Sequence, residues 1–379
     1  QIVVGLGGSK NGVPRETGFE ITAASEVMAV LSLSKNYAEL KERLSRMILG
    51  YKRDGKTVRV GELNVVGAMA AVLKEAMEPN LVQTVEGTPG FVHGGCFGNI
   101  AHGTTTIISI LLARKLADYC VVEAGFGSDL GAEKFVDIAA RTGGFDVDAA
   151  VVVASIRAIK SHSGLDSDES VGNRNEMRAG FENLSKHIEN VRAFGLTPVV
   201  ALNRFADDTP VEVKQVEDFC ANLDIPFAVS TAFEEGGRGA TDLAERVLEA
   251  SKKGEKAKPL YPLEWSLEEK LKLIVEKIYG GEGVDYSLDA RRALKHIAEL
   301  DLVKEPVCVA KTHLSLSDDE NKLGRPHGFN VSVGNIEMAA GAGFNIAYMG
   351  GILTMPGLPK RPASEKIDLD DNGVITGLQ

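Results

Sequence analysis

Cysteine is scarce, and the four present, Cys96, Cys120, Cys220 and Cys308, share no CxxC or Cys/His ligand spacing. They read as reduced core thiols, which excludes a disulfide framework and leaves no structural zinc motif. Long hydrophobic runs are missing too: no stretch is apolar for long enough to span a membrane, and no leader pattern occurs, so a soluble cytoplasmic protein with no membrane partner is expected. Positive charge is the third shortage. Lys and Arg number 42 against 53 Asp and Glu, a net charge of −11, with no long basic cluster. That excludes nucleic acid as the main partner and requires any anionic ligand to be held by a local pocket. Tryptophan occurs once.

What the sequence does have is ample hydrophobic content, 44% of 379 residues, and 41 glycines. This suits two domains better than one. Short β-branched runs alternate with helical spacings. Strands are expected at Tyr119–Val122, Ala149–Ile156, Thr197–Leu202 and Phe227–Ser230, and helices at 129–140, 176–194, 210–223 and 242–251. Strand, loop and helix in this order predict a mostly parallel α/β sheet. Upstream, helices are expected from Thr22 (as N-cap) to Leu33, over Tyr37–Leu49, over Gly61–Met77 and over Thr104–Ala117. The segment Asn80–Gly103 is too irregular for either period, and Asn11–Phe19 reads as a loop. Gly254–Pro262 has the composition of a linker, so a core over 1–253 and a smaller C-terminal α/β domain over 263–379 are expected. The chain opens on a strand and glycine turn, Gln1–Gly8; because a core strand needs sequence on both sides, a piece of a longer chain is expected.

The central stretch is Tyr119–Phe135, YCVVEAGFGSDLGAEKF. It sets an acid, Glu123, and the turn Gly125-Phe126-Gly127 between a strand and a helix, the place where open α/β sheets bind ligands. Glu123 suits a Mg²⁺ ligand beside phosphates approached by the amides of Gly125 and Gly127; capping of the next helix is the alternative. Asn203 ends another strand, where an amide can read a purine or make a turn. Ser230 ends the next and suits the same base pocket. Phe126, Phe205 and Phe233 all follow strand ends, where flat rings stack on heterocycles unless they pack beneath their loops. His93 and His102 lie in a glycine-rich loop, as metal ligands or, with no acid at ligand spacing, as hydrogen-bonding or phosphate-facing groups. Arg157, Lys160 and His162 follow a strand end and suit an anion site. No GxxxxGK[ST] motif exists in the 379 residues, so a P-loop phosphate cradle is not among them.

GVPRETGFEITAASEVMA (Gly12–Ala29), PNLVQTVEGTPGFVHGG (Pro79–Gly95), NIAHG (Asn99–Gly103), EAGFGSDLGAEKF (Glu123–Phe135) and VASIRAIKSHSG (Val153–Gly164), with AKTHLSLSDD (Ala310–Asp319), LGRPHGF (Leu323–Phe329) and TMPGLPKRPA (Thr354–Ala363), strongly resemble the formate–tetrahydrofolate ligase family. The resemblance runs from the first residues to the last and implies a P-loop NTPase-type α/β fold, incomplete at its N-terminal end. It implies ATP-dependent joining of formate to tetrahydrofolate through formyl phosphate, with Mg²⁺ and a monovalent cation (K⁺ or NH₄⁺) and a homotetrameric assembly. Carried onto this chain, it implies folate contacts at Phe126, Phe205, Val229 and Phe233, and nucleotide contacts at Gly125, Gly127, Asn203 and Ser230. Glu123, His93 and Arg157 are implied in catalysis, with Glu123 as the Mg²⁺ ligand. Three departures are visible: Phe233 where the family commonly has Trp, HGGCFGN for HGGPFAN at His93–Asn99, and KSHSG for KxHGG at Lys160–Gly164. Without the P-loop segment, the chain is expected to be inactive alone. The alternatives are a subunit of a split ligase and a folate-binding or assembly remnant.

Overall fold

The computed structural model describes every residue except Gln1, Ser167, Asp168, Ser170, Arg174, Leu353, Thr354, Pro356, Leu358 and Gln379. The chain forms two compact units, Thr22–Ile352 and a smaller one made of Gln1–Ile21 with Leu353–Gln379. In the smaller unit, Ile2–Val4 pairs antiparallel with Arg15–Thr17, so part of the expected loop is a strand. A second short hairpin joins Asp368–Leu369 to Ile375–Thr376. Thr354, Pro356 and Leu358 of the TMPGLPKRPA string lie outside the described residues.

The larger unit holds two main sheets. The first is wholly parallel, in the order β1 (Ala150–Ala154), β2 (Pro198–Asn203), β3 (Phe227–Ser230). β2 is buried from Pro198 to Leu202, as a central parallel strand covered on both faces must be. Ile159, Phe181, Leu184, Ile188, Val216 and Phe219 pack against Val200 and Leu202 in one cluster. Each fully buried aliphatic of this kind contributes roughly 1.5–3 kcal/mol. The second sheet is mixed, in the order β4 (Gly283–Tyr286), β6 (Asn330–Ala339), β7 (Phe344–Met349), β5 (Val307–Ala310). β4 with β6 and β5 with β7 run parallel, and β6 with β7 antiparallel. Its core includes Leu271, Ile274, Ile278, Val307, Val331 and Ala347.

Helix starts follow hydroxyl and amide caps. Ser155, Thr209, Ser266 and Ser287 accept from backbone N–H groups of the first turns at 156, 210, 267 and 288, each cap contributing about 1 kcal/mol. Thr209 with Glu212, and Ser266 with Glu269, form reciprocal capping boxes.

Several expectations need correction. Tyr119–Val122 joins no sheet: Tyr119 is 58% and Val121 93% exposed. Just beyond the run, Ala124 makes an isolated bridge to Thr104. An apolar run supplies strand propensity but not the neighbour that a strand must pair with. Asn80–Gly103 contains a hairpin, Asn80–Gln83 with Pro89–Val92. All four residues of its first strand are exposed, so there is no buried face to generate an alternation. The first long helix starts at Glu26 on Ser25, not on Thr22. The second stops at Arg46 because Ile48–Tyr51 enters a hairpin with Thr57–Arg59. Gly61–Met77 is broken at Asn64, whose left-handed backbone (φ 56°) ends the first turn. The helix expected at 129–140 is widened into π-helical turns at Ser128–Ala132 and Phe135–Ala140.

Candidate functional site

Parallel pairing sets three strand ends side by side. Ala154 lies opposite Leu202, and Asn203 opposite Ser230, so the two expected purine-side residues are neighbours across one register step. Past Ser155, the chain turns directly into a helix, Ile156–His162, and not a loop, which places Arg157 in its first turn. Arg157 stacks its guanidinium over the Phe205 ring at 4.3 Å. The same guanidinium donates to both carboxylate oxygens of Asp207 at 3.0 Å. This hydrogen bond holds Asp207 below its ordinary carboxylate pKa. One face of Phe205 is therefore covered by a cation, and the loop around it is tied down by the Phe205 amide donating to Asp208 at 2.8 Å. Beyond β3, Phe233 is 93% exposed on the short helix Ala232–Glu235, while Ser230 is buried and Val229 half-buried. Lys160 forms a buried 2.7 Å ion pair with Glu212, the capping-box acid of the helix Pro210–Asn222 that follows β2. His162 accepts from the Gly324 amide at 3.2 Å, and burial lowers its pKa.

The turn at Glu123–Gly127 is built differently. The Thr104 hydroxyl donates to the Glu123 carbonyl at 2.9 Å, and the Gly125 amide to the Gly103 carbonyl at 2.9 Å. Gly98 and Gly131 pass so close that an added Cβ would sit 2.6 Å and 2.0 Å from the Gly125 carbonyl oxygen, so neither position tolerates a side chain. Phe126, 44% exposed, adopts a left-handed backbone, φ 67°, and its ring lies 4.7 Å from that of His313. Glu123 is exposed, so its carboxylate is accessible to a cation. A lone accessible carboxylate suits Mg²⁺, which takes one or two protein acids and completes its shell with phosphates and water. Among the described residues there is no group of three or more His, Cys, Asp or Glu side chains placed to hold a metal.

His93 is engaged on both sides. Its Nε2 meets the Ala76 carbonyl at 2.7 Å and therefore carries a proton, and its Nδ1 meets the Thr106 hydroxyl at 2.7 Å. His102 is fully buried, with neither ring nitrogen hydrogen-bonded among the described residues, and burial pushes its pKa down to about 4.

Beneath the turn lies a buried charged layer. Asp129 pairs with Lys311 at 2.8 Å, both side chains being almost wholly inaccessible. Lys134 donates to the carbonyls of Gly98 and Val309. Glu133, fully buried, lies beside Asp137, and no donor among the described residues reaches its oxygens. Two carboxyls in contact form a hydrogen bond only while one keeps its proton, and burial, reinforced by the neighbouring acid, raises the Glu133 pKa well above its ordinary value. Ser128 meets His187 at 2.8 Å, and His187 lowers the pKa of His162 in turn, which connects the turn to the helix after β1.

Sequence reasoning gave no role to Ser128, Asp129, His187, Lys311 or His313. The signal was present for two of them: Lys311 and His313 directly follow β5, a strand end like those of Asn203 and Ser230.

A protein-family model described as formate–tetrahydrofolate ligase matches residues 1–379. Proteins named formate–tetrahydrofolate ligase from Staphylococcus aureus strains JH9 and N315 are each 50% identical over 376 residues, covering 99% of this chain and 68% of theirs. The corresponding protein of strain NCTC 8325 matches to the same extent.

Proposed function

The chain belongs to the formate–tetrahydrofolate ligase family, an enzyme family, and from that premise we propose that it carries the folate- and base-binding part of an ATP-dependent ligase. The observation that carries this reading is the parallel register that sets Asn203 against Ser230, with Phe205 in the loop after the first and Phe233 on the short helix after the second. In this reading the pterin stacks on Phe205, Phe233 and Phe126 beside Val229, and adenine meets Asn203 and Ser230. The phosphates approach the glycine turn at Gly125 and Gly127. There the Gly125 amide is already given to the Gly103 carbonyl, and the glycines serve by allowing close approach. Glu123 would hold Mg²⁺, which neutralises phosphate charge when bound.

Arg157 serves here by fixing the Phe205 ring and its loop, and His93 by holding the loop that backs the turn. Formate is a poor electrophile until an oxygen is phosphorylated. Its carboxylate oxygen attacks the terminal phosphorus of ATP, and ADP leaves. The folate amine then attacks the formyl carbon and expels phosphate. Holding the folate between aromatic faces supplies the orientation that the second step needs. A labile acyl phosphate also requires a site closed to water.

The phosphate cradle belongs to another segment or subunit with a GxxxxGK[ST] motif, in a P-loop type sheet. Two features support a further strand beside β1. Val151 and Val153 are 39% and 69% exposed on that terminal strand of the sheet, and Val121 of the unpaired run is 93% exposed. Activation by K⁺ or NH₄⁺, a homotetramer, and a division of the whole enzyme near 254–262 belong to the same proposal.

The test is an assay for 10-formyltetrahydrofolate formed from formate, ATP and tetrahydrofolate. The chain alone is expected to give none, and a chain or mixture that also carries the P-loop segment is expected to turn over. Turnover by the 379 residues alone would refute the division of labour.

A further inference from the structure

We propose that His313 is a positioning residue for Phe126, holding its ring as one wall of the ligand site; the ligand part of this inference rests on the folate reading above. Phe126 is flanked by Gly125 and Gly127, neither of which has a side chain to fix its rotamer. Its own backbone is left-handed, a conformation a phenylalanine adopts only under outside constraint. Two constraints are visible. The backbone of Gly98 lies beneath the ring, where an added Cβ would sit 3.3 Å from Phe126 Cδ2. The imidazole of His313 meets the ring at a centroid distance of 4.7 Å and a tilt of 38°.

Both rings are carried by segments locked to each other. Lys311, two residues before His313, places its ammonium 2.8 Å from the carboxylate of Asp129, three residues after Phe126. That ammonium also donates to the carbonyls of Thr312 at 3.0 Å and Ser315 at 2.5 Å, so all three of its donors are used. The Lys311 amide donates to the Asn99 carbonyl at 3.1 Å, next to the Gly98 backbone under the ring. The buried ion pair thus fixes the spacing of the two segments, and His313 converts that spacing into an orientation of Phe126. Both rings remain exposed on their outer sides, as a wall that faces a ligand requires.

The experiment has two arms on this chain. In the first, urea-unfolding midpoints are measured for wild type, Phe126→Ala, His313→Ala and the double variant. A positioning contact makes the two losses non-additive; additive losses overturn the proposal. In the second, tetrahydrofolate is titrated into wild type, His313→Ala and His313→Phe by calorimetry. His313→Ala is expected to bind about three- to tenfold more weakly, with affinity restored to within about twofold by His313→Phe, which keeps the stack. Unchanged affinity in His313→Ala overturns the proposal, as does an equal loss in both variants, which would make the imidazole itself a ligand contact. If wild type binds no tetrahydrofolate while the midpoints are non-additive, the folate reading fails and the positioning role stands.

Discussion

Phe126 has a backbone that opposes its side chain. A left-handed conformation costs a non-glycine residue about 1–2 kcal/mol, so Phe126→Gly relieves that strain while deleting the ring. The two effects offset in stability but not in binding. The thermal midpoint of Phe126→Gly is expected to stay within a few degrees of wild type while tetrahydrofolate affinity falls, as differential scanning fluorimetry and calorimetry would show together. A large drop in midpoint would instead make the ring a core element. Arg157 presents a comparable case. Its cation covers one Phe205 face and anchors Asp207 at the surface, so Arg157→Ala is expected to weaken ligand binding with little change in stability, as urea unfolding and calorimetry would show.

At the scale of elements, the π-helical segment from Ser128 to Ala140 is notable for what it buries: Asp129, Glu133, Lys134 and Asp137 all face inward. Glu133 and Asp137 are surrounded by Lys134 and Arg141 on their own helix, by Asp129, and by the hydroxyls of Tyr261 and Tyr279. Burial raises Asp137 to about 6 and raises Glu133 further above its ordinary range. In the folded chain these acids keep protons that the unfolded chain releases. Their contribution is therefore full at pH below the unfolded carboxyl values and is lost as pH rises through the folded ones. Glu133→Gln, an amide that can donate to Asp137 without ionising, is expected to be more stable than wild type above pH 6, with a difference that grows toward pH 8 and shrinks toward pH 5. Urea midpoints across that range would check it, and a pH-independent difference would contradict it. His102 acts in the opposite sense. With its folded pKa near 4, the unfolded chain takes up a proton first on acidification, so its contribution is lost as pH falls through the interval below 6.5. For the ion pair itself, Lys311→Met is expected to destabilise by about 3–5 kcal/mol by leaving Asp129 charged and unpaired. Adding Asp129→Leu should recover part of that loss.

The same elements show what could be read from residues alone. β2 and β3 were legible because both are short apolar runs, β2 buried on both faces and β3 at the edge of the same sheet, and their ends located Asn203 and Ser230. Tyr119–Val122 has the same composition and forms no strand, because pairing is a property of the neighbour and not of the run. The Asn80–Val92 hairpin was illegible for the converse reason: backbone pairing around Thr84–Thr88 holds strands with no buried side. The layer of Asp129, Glu133, Lys134 and Lys311 was hidden too. Charged letters at helical spacing normally mark a solvated face, and nothing local tells that a lysine 177 residues beyond Lys134 closes over it.

For the whole molecule, the acidity of the chain and the absence of basic clusters leave anion recognition to backbone amides and to a few placed cations. Of those cations, Arg157, Lys160 and Lys311 are committed to Asp207, Glu212 and Asp129. In the proposed reading, phosphate draws its cationic donors from groups other than these three. Among the described residues no helix is long and apolar enough to cross a membrane.

In the reading proposed above, the strand-end segments of this chain bind tetrahydrofolate between aromatic walls. Calorimetric titration of tetrahydrofolate into the wild-type chain and into Phe205→Ala tests it most directly. Saturable one-site binding by wild type, weakened at least tenfold by the substitution, is the predicted result. No binding by wild type, or equal binding by both proteins, would contradict it.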